Sequence, residues 1–204
     1  MHTLIIATHN QGKLKELRAL LSGLDVEVLA IGDVIHREFC VVEDGNTFEH
    51  NAIKKARAVA DVANMLTLAD DSGLEVDALG GAPGVRSARL AGEHATDAEN
   101  NAALIALLDR IDASFAPFKA RFRCVLALVW PNSYRTELVE GVCEGHVILS
   151  RRGTRGFGYD PLFIPEGVQG DDRTMAELSD DEKNRISHRA RALKKLRLVL
   201  EPLS

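Results

Sequence analysis

The stretch Leu68-Ala-Asp-Asp-Ser-Gly-Leu-Glu-Val76 governs how the rest of the chain is read. An apolar run, Met65 to Ala69, leads into two adjacent carboxylates, Asp70 and Asp71. Ser72-Gly73 then reads as a turn, and Leu74 to Val76 as a further short strand. Neighbouring carboxylates are costly to bring together unless positive charge accompanies them. On an extended backbone they point to opposite faces. One is therefore the candidate ligand or base, and the other braces the turn. A plain surface turn is the competing reading of Asp-Ser-Gly, and the remainder of the chain weighs against it.

Upstream, Leu4 to Ala7 reads as a short buried strand, followed by the polar loop Thr8-His-Asn-Gln-Gly-Lys13. Leu14, Leu17 and Leu21 recur at helical spacing, Asn10 suits the N-cap, and Lys13 falls in the first turn. Such a strand, loop and helix junction presents backbone N–H groups to an anion. It lacks the glycine spacing and the Lys-Ser/Thr ending of a P-loop. Val26 to Leu29 reads as a second strand, and Glu43-Asp-Gly-Asn46 signals a turn. Thr47 suits the cap of a helix whose small-residue face is Ala52, Ala56, Val59, Ala60 and Ala63; Lys54, Lys55 and Arg57 lie in the same helix.

Downstream, the glycines between Ala78 and Val85 argue for backbone shape rather than side-chain chemistry. Thr96 and Glu99 have capping-box spacing ahead of a helix carrying Leu104 and Leu108. Arg121 to Trp130 alternates with both faces apolar, as a central strand does. Arg135 to Leu149 is its long partner, and such a hairpin could bridge two lobes. In the loop Gly153 to Pro161, Phe157 stands between Gly156 and Gly158. It is either a stacking platform for a base or, with Tyr159, part of the core. Ser179 and Glu182 open the last helix, whose period continues through Ile186, Ala190, Leu193 and Leu196. In that helix Arg185, His188 and Arg189 lie close together on one side and form a positive patch that could grip phosphate or a purine edge, with Lys183 about 140 degrees away.

With 204 residues and alternating helix and strand signals, the chain reads as a mixed α/β fold, either one domain or two small lobes. Its net charge of -5 and lack of a basic tract argue against a nucleic-acid partner. Cys40, Cys124 and Cys143 are too far apart for a metal cluster or a disulfide framework. Neither a signal peptide nor a membrane-length apolar run is visible, so a cytoplasmic protein with no membrane association is expected. Carboxylates seek a cation, while the junction and the basic patch seek anions. Mg²⁺ on phosphates satisfies both, and an aromatic suits a base. The residues themselves thus point to a metal-dependent nucleotide enzyme.

The sequence resembles the inosine triphosphate pyrophosphatase family, the Ham1-like non-canonical purine NTP pyrophosphatases, over nearly its whole length. The resemblance rests on Thr8-His-Asn-Gln-Gly-Lys13, Glu43-Asp-Gly-Asn-Thr-Phe48, Asn51-Ala-Ile-Lys-Lys-Ala56 and Ala69-Asp-Asp-Ser-Gly73. It continues through Gly80-Gly-Ala-Pro-Gly84, Ser87-Ala-Arg89, Gly156-Phe-Gly-Tyr-Asp-Pro161, Ala176-Glu-Leu178 and Ile186-Ser-His-Arg189. It implies one domain over 1–204, elongated and two-lobed around a long twisted mixed sheet, with the active-site groove between the lobes. It implies a Mg²⁺-dependent homodimer that hydrolyses ITP, dITP and XTP to the monophosphate and pyrophosphate. By that resemblance Thr8, His9, Asn10, Gln11, Gly12 and Lys13 would hold the triphosphate, Glu43 and Asp71 the metal, and Asp71 would be the general base. Lys55 would neutralise phosphate charge, Ser72 would touch substrate, and Phe157 would stack on the purine. Gly158, Tyr159, Asp160, Lys183, His188 and Arg189 would complete base and phosphate recognition. His9, His50, Leu90 and Arg155 depart from the commoner pattern; His9 either meets phosphate or faces solvent. Release of orthophosphate, action on other modified nucleotides, and a non-catalytic nucleotide-binding regulator are the alternative readings.

Overall fold

The computed structural model describes residues 2–35, 39–133, 135–167 and 171–200. Among these, β1 (His2–Ile6) leads to α1 (Gln11–Leu21), β2 (Val26–Ala30), the short α2 (Ile31–Val34) and α3 (Phe48–Ala63). Then follow β3 (Thr67–Val76), α4 (Asp97–Leu108), β4 (Phe118–Val129), β5 (Thr136–Val147) and β6 (Phe163–Pro165). Two helices, α5 (Asp180–Ile186) and α6 (His188–Leu200), close the described chain. The strands form one mixed sheet in the order β2-β1-β3-β4-β5-β6. β1 runs parallel to β2, with Leu4 opposite Val28, and parallel to β3, with Ile6 opposite Leu68. β6 is antiparallel to β5, with Ile164 opposite His146.

The acidic pair lies inside a strand. Backbone from Thr67 to Val76 is continuous, and the turn expected at Ser72-Gly73 does not form. Gly73 is there for close approach: a Cβ would collide with the Gly84 carbonyl and the Ser87 side chain. Ser87 Oγ accepts the Leu74 N–H at 2.9 Å, which binds the strand to the following loop.

The helix starts follow local chemistry. The side chains of Asn10, Thr47, Thr96 and Ser179 each cap the helix they precede, and the last two complete capping boxes with Glu99 and Glu182. The last helix departs from its expected continuity. Ser187 is extended, with ψ of 155°, and separates α5 from α6. Arg185, His188 and Arg189 therefore share no common helical face. Arg185 is exposed, while the other two are buried.

The chain divides into two compact units. The first comprises Met1–Asp71, Cys124–Gly141 and Arg189–Ser204. Its core joins Leu4 and Ile6 of β1, Leu14, Leu17 and Leu21 of α1, Cys124, Leu126 and Leu128 of β4, and Leu193 and Leu196 of α6. The second comprises Ser72–Arg123 and Val142–His188. Its core joins Leu74 and Val76 of β3, Leu104 and Leu108 of α4, Phe118 and Phe122 of β4, and Leu162 and Phe163. No described helix is long and apolar enough to cross a membrane.

Candidate functional site

In the first unit, β3 extends Asp70 and Asp71 toward different partners, as strand alternation requires. Asp71 is 5% exposed. Lys55 donates to its Oδ1 at 3.0 Å, and Asn51 donates to its Oδ2 at 3.1 Å. Both donors come from α3, four residues apart on its buried face. The Lys55 ammonium also meets Glu43 Oε1 at 2.9 Å and donates to the Asp70 carbonyl at 2.8 Å. Glu43 and Asp71 thus converge on one cation. Asn51 fixes the turn that carries Glu43, because its Oδ1 accepts the Gly45 N–H at 2.8 Å. A Cβ on Gly45 would lie 2.5 Å from that same oxygen, so this turn requires glycine.

The chemistry of this cluster follows from its burial. Desolvation pushes the Asp71 carboxyl up, against the pull of Lys55 and Lys13, and nearby Glu43 pushes it further. A raised carboxyl beside ordered cations is suited to accept a proton. Burial works against the charge of Lys55, but Asp71 and Glu43 outweigh it and hold the ammonium firmly protonated.

Asp70 has the opposite character. Burial would raise it, but Arg189 and Lys13 overcome that and hold it well below the usual carboxylate range. Lys13 Nζ lies 2.6 Å from its Oδ1, and Arg189 Nε donates to its Oδ2 at 2.8 Å. The Cys124 thiol adds a further contact at 3.2 Å, and Arg189 also pairs with Glu16. Arg189 is 1% exposed, and its guanidinium braces the acidic strand from within.

The Thr8 to Lys13 stretch spans the junction of β1 and α1 in the same unit, with Gln11 to Lys13 already helical. Asn10 caps α1 by accepting the Lys13 N–H at 2.9 Å, and its own N–H donates to Thr8 Oγ1. Gln11 donates to the His9 carbonyl. Gly12 is half-buried in the first turn of α1. His9 is exposed, and its Nε2 donates to the Phe39 carbonyl at 2.8 Å. His50 is exposed as well.

The second unit holds the aromatic loop and Ser72, which is half-buried on β3. Gly156 and Gly158 adopt φ of +73° and +60°, and the half-buried Phe157 lies between them. Asp160 accepts the Phe157 N–H at 2.9 Å and pairs with the buried Lys183. The Lys183 ammonium sits 4.9 Å from the centre of the Phe157 ring, a cation–π contact. Lys183 and Asp160 therefore support the aromatic platform from beneath. Tyr159 belongs to the core instead: it is buried, and its hydroxyl donates to the Ser87 carbonyl at 2.9 Å. Burial, then nearby Asp97, pushes its phenol above the ordinary range. His188 is buried and stacks on Phe122, with ring centres 4.9 Å apart. Tyr159 thus takes the core position that the sequence left open for it, and His188 is a buried ring in the same unit.

Several supporting residues escaped the reading of the sequence. Asn51, Glu16, Asp97 and Asn101 all contact the expected site residues or their backbone. Three of these carried a signal. Asn51 with Lys55, and Asp97 with Asn101, are polar pairs at i, i+4 on helices with apolar faces.

A family model described as the Ham1 family matches residues 4–199. The chain is 52% identical over 202 residues to a dITP/XTP pyrophosphatase of Desulforamulus reducens, covering 98% of this chain and 96% of that protein. It is 49% identical over 201 residues to a dITP/XTP pyrophosphatase of Bacillus subtilis, covering 98% of each. Among solved structures it matches a HAM1 protein from Coxiella burnetii with a TM-score of 0.86 and 40% identity, over 99% of this chain and 100% of that one. The Staphylococcus aureus Ham1 protein matches with a TM-score of 0.83 and 39% identity, over the same shares of the two chains.

Proposed function

The chain belongs to the Ham1 family, and from that premise we propose that it hydrolyses ITP, dITP and XTP to the monophosphate and pyrophosphate. The observation that carries the reading is the convergence of Glu43 and Asp71 on the Lys55 ammonium, with Asp71 buried and its carboxyl raised. In this mechanism water attacks the α-phosphorus and the bond from that phosphorus to the α,β-bridging oxygen breaks. Pyrophosphate leaves, and the proton of the attacking water passes to Asp71. Lys13 and Lys55 stabilise charge on the phosphoryl oxygens. Asp70, with Arg189 behind it, aims Lys13.

We assign the resident metal as Mg²⁺, held by Glu43 and Asp71. Their chemistry fits: both are hard oxygen donors, both already reach one cation, and positive charge offsets the burial of Asp71. When bound, the ion supplies charge neutralisation for the phosphates. The purine is assigned to Phe157, supported by Lys183 and Asp160. A 6-oxo group accepts a hydrogen bond where the amine of adenine cannot, and an unmatched polar group discriminates strongly. We further assign a homodimeric state and a cytoplasmic location, in keeping with the family resemblance.

The test is a purified-enzyme panel of ITP, XTP, GTP and ATP, with and without Mg²⁺, identifying both products. Pyrophosphate from ITP and XTP, with ATP poorly used, supports the assignment. Orthophosphate as the first product, or binding without turnover, overturns it.

A further inference from the structure

The first turns of α4 grip the aromatic loop at Gly158. The Gly158 N–H donates to Asp97 Oδ2 at 2.7 Å, and its carbonyl accepts from Asn101 Nδ2 at 2.8 Å. Asp97 and Asn101 stand one helical turn apart, so both polar groups of this residue are held by a single helix edge. The Phe157 N–H is held separately by Asp160. With φ of +60° at Gly158 and no crowding at its missing Cβ, glycine here supplies a backbone conformation rather than space. The loop backbone thus has few ways to shift the point from which Phe157 projects without breaking a bond to α4 or to Asp160.

Asn101 carries a cost for this arrangement. It is wholly buried, and its Oδ1 has no hydrogen-bond partner among the described residues. Its amide orientation is set by two acceptors: Nδ2 donates to the carbonyls of both Asp97 and Gly158. Flipping the amide would place an oxygen against both carbonyls. An asparagine that leaves one acceptor unmet in order to hold a loop carbonyl is poorly explained by stability alone.

We propose that Asp97 and Asn101 are positioning residues for purine recognition, fixing through the Gly158 peptide the backbone from which Phe157 projects. The proposal rests on the assignment of Phe157 to the base. It places the effect on substrate affinity, because both residues act on the loop that carries Phe157.

The experiment compares Asn101→Ala, Asp97→Ala, Asp97→Asn and Phe157→Ala with the wild type. Melting curves establish that each is folded, and the readouts are ITP turnover and inhibition by inosine monophosphate and by pyrophosphate. Loss of a base-stacking contact is expressed in KM more than in kcat. Asn101→Ala and Asp97→Ala should raise KM for ITP and the inhibition constant of inosine monophosphate by about five- to tenfold. Inhibition by pyrophosphate, which has no base, should change by less than about twofold. Asp97→Asn keeps an oxygen acceptor for the Gly158 N–H and should recover most of the affinity lost in Asp97→Ala. An impaired Phe157→Ala beside unaffected Asn101→Ala and Asp97→Ala overturns the clamp. Equal weakening of inosine monophosphate and pyrophosphate also overturns it, because that marks a general structural loss. If Phe157→Ala itself leaves KM unchanged, the stacking assignment fails, and the clamp with it. Should Asn101→Ala not fold, the Asp97 pair decides alone.

Discussion

Asp70 and Asp71 are neighbours in sequence and opposites in chemistry, and their environments explain the difference. Burial raises the Asp71 carboxyl above its ordinary value. A group of this kind takes up a proton on folding, so its ionisation erodes stability as pH rises from about 4 through its folded value. Asp71→Asn removes that cost. It also takes a negative partner from the buried Lys55 ammonium, so the variant should melt close to the wild-type temperature at pH 7 while turnover falls about 10²- to 10⁴-fold. Melting curves and steady-state kinetics on one preparation check both halves; near-normal turnover removes Asp71 from the base role. For Asp70 the sign reverses, because Arg189 and Lys13 overcome burial and hold it low. Its stabilising contribution is present above its ordinary pKa and is lost as pH falls through the folded value. Asp70→Asn should therefore cost about 3–5 kcal/mol at neutral pH, since it leaves Arg189 buried with a partner removed. The difference from wild type should narrow below about pH 4, as denaturant titrations across pH would show.

At the scale of the element, the contrast is between what is encoded nearby and what is encoded far away. Thr96 Oγ1 accepts the Glu99 N–H, and the Glu99 carboxylate returns to the Thr96 N–H at 2.7 Å. Thr96→Ala should cost about 1 kcal/mol and lower Tm by about 2–4 °C, measurable by calorimetry. Caps of this kind were legible in the sequence because all the partners lie within four residues. So were the buried helix face of Leu14, Leu17 and Leu21 and the paired long strands β4 and β5. The continuity of β3 was not. Ser72-Gly73 has the composition of a turn, yet Gly73 serves contacts with Gly84 and Ser87 more than ten residues away. The break at Ser187 carried no glycine or proline to announce it. One partner of Arg189 is Asp70, 119 residues distant, so helical spacing alone could not show that Arg189 braces the acidic strand. Phe157, by contrast, was legible as a platform candidate because glycines on both sides mark a special backbone, and a core position for Tyr159 stood beside it, although its hydroxyl partner Ser87, 72 residues away, was not legible.

Charge across the whole molecule decides what the phosphate-binding side needs. The net charge of -5 offers a triphosphate no general attraction. Locally, Lys13, Lys55 and Arg189 already stand against Glu16, Glu43, Asp70 and Asp71, one carboxylate more than the cations. These lysines can orient phosphate oxygens, but their charge is largely committed to protein carboxylates. Bringing a polyanion to Glu43 and Asp71 without added positive charge sets like charges against each other in a partly dehydrated site, where screening by salt is weak. A divalent cation held by Glu43 and Asp71 would remove that conflict; a monovalent one would remove only part of it. Stripping the enzyme with EDTA should therefore reduce ITP hydrolysis at least about 100-fold. Excess Mg²⁺ should restore it, while added NaCl at equal ionic strength should not. Nucleotide binding, followed by calorimetry with and without Mg²⁺, should weaken in parallel with turnover on chelation. Full turnover in EDTA would mean that Lys13 and Lys55 leave their carboxylates to neutralise the phosphates unaided, and the assignment of Glu43 and Asp71 to a metal would fall.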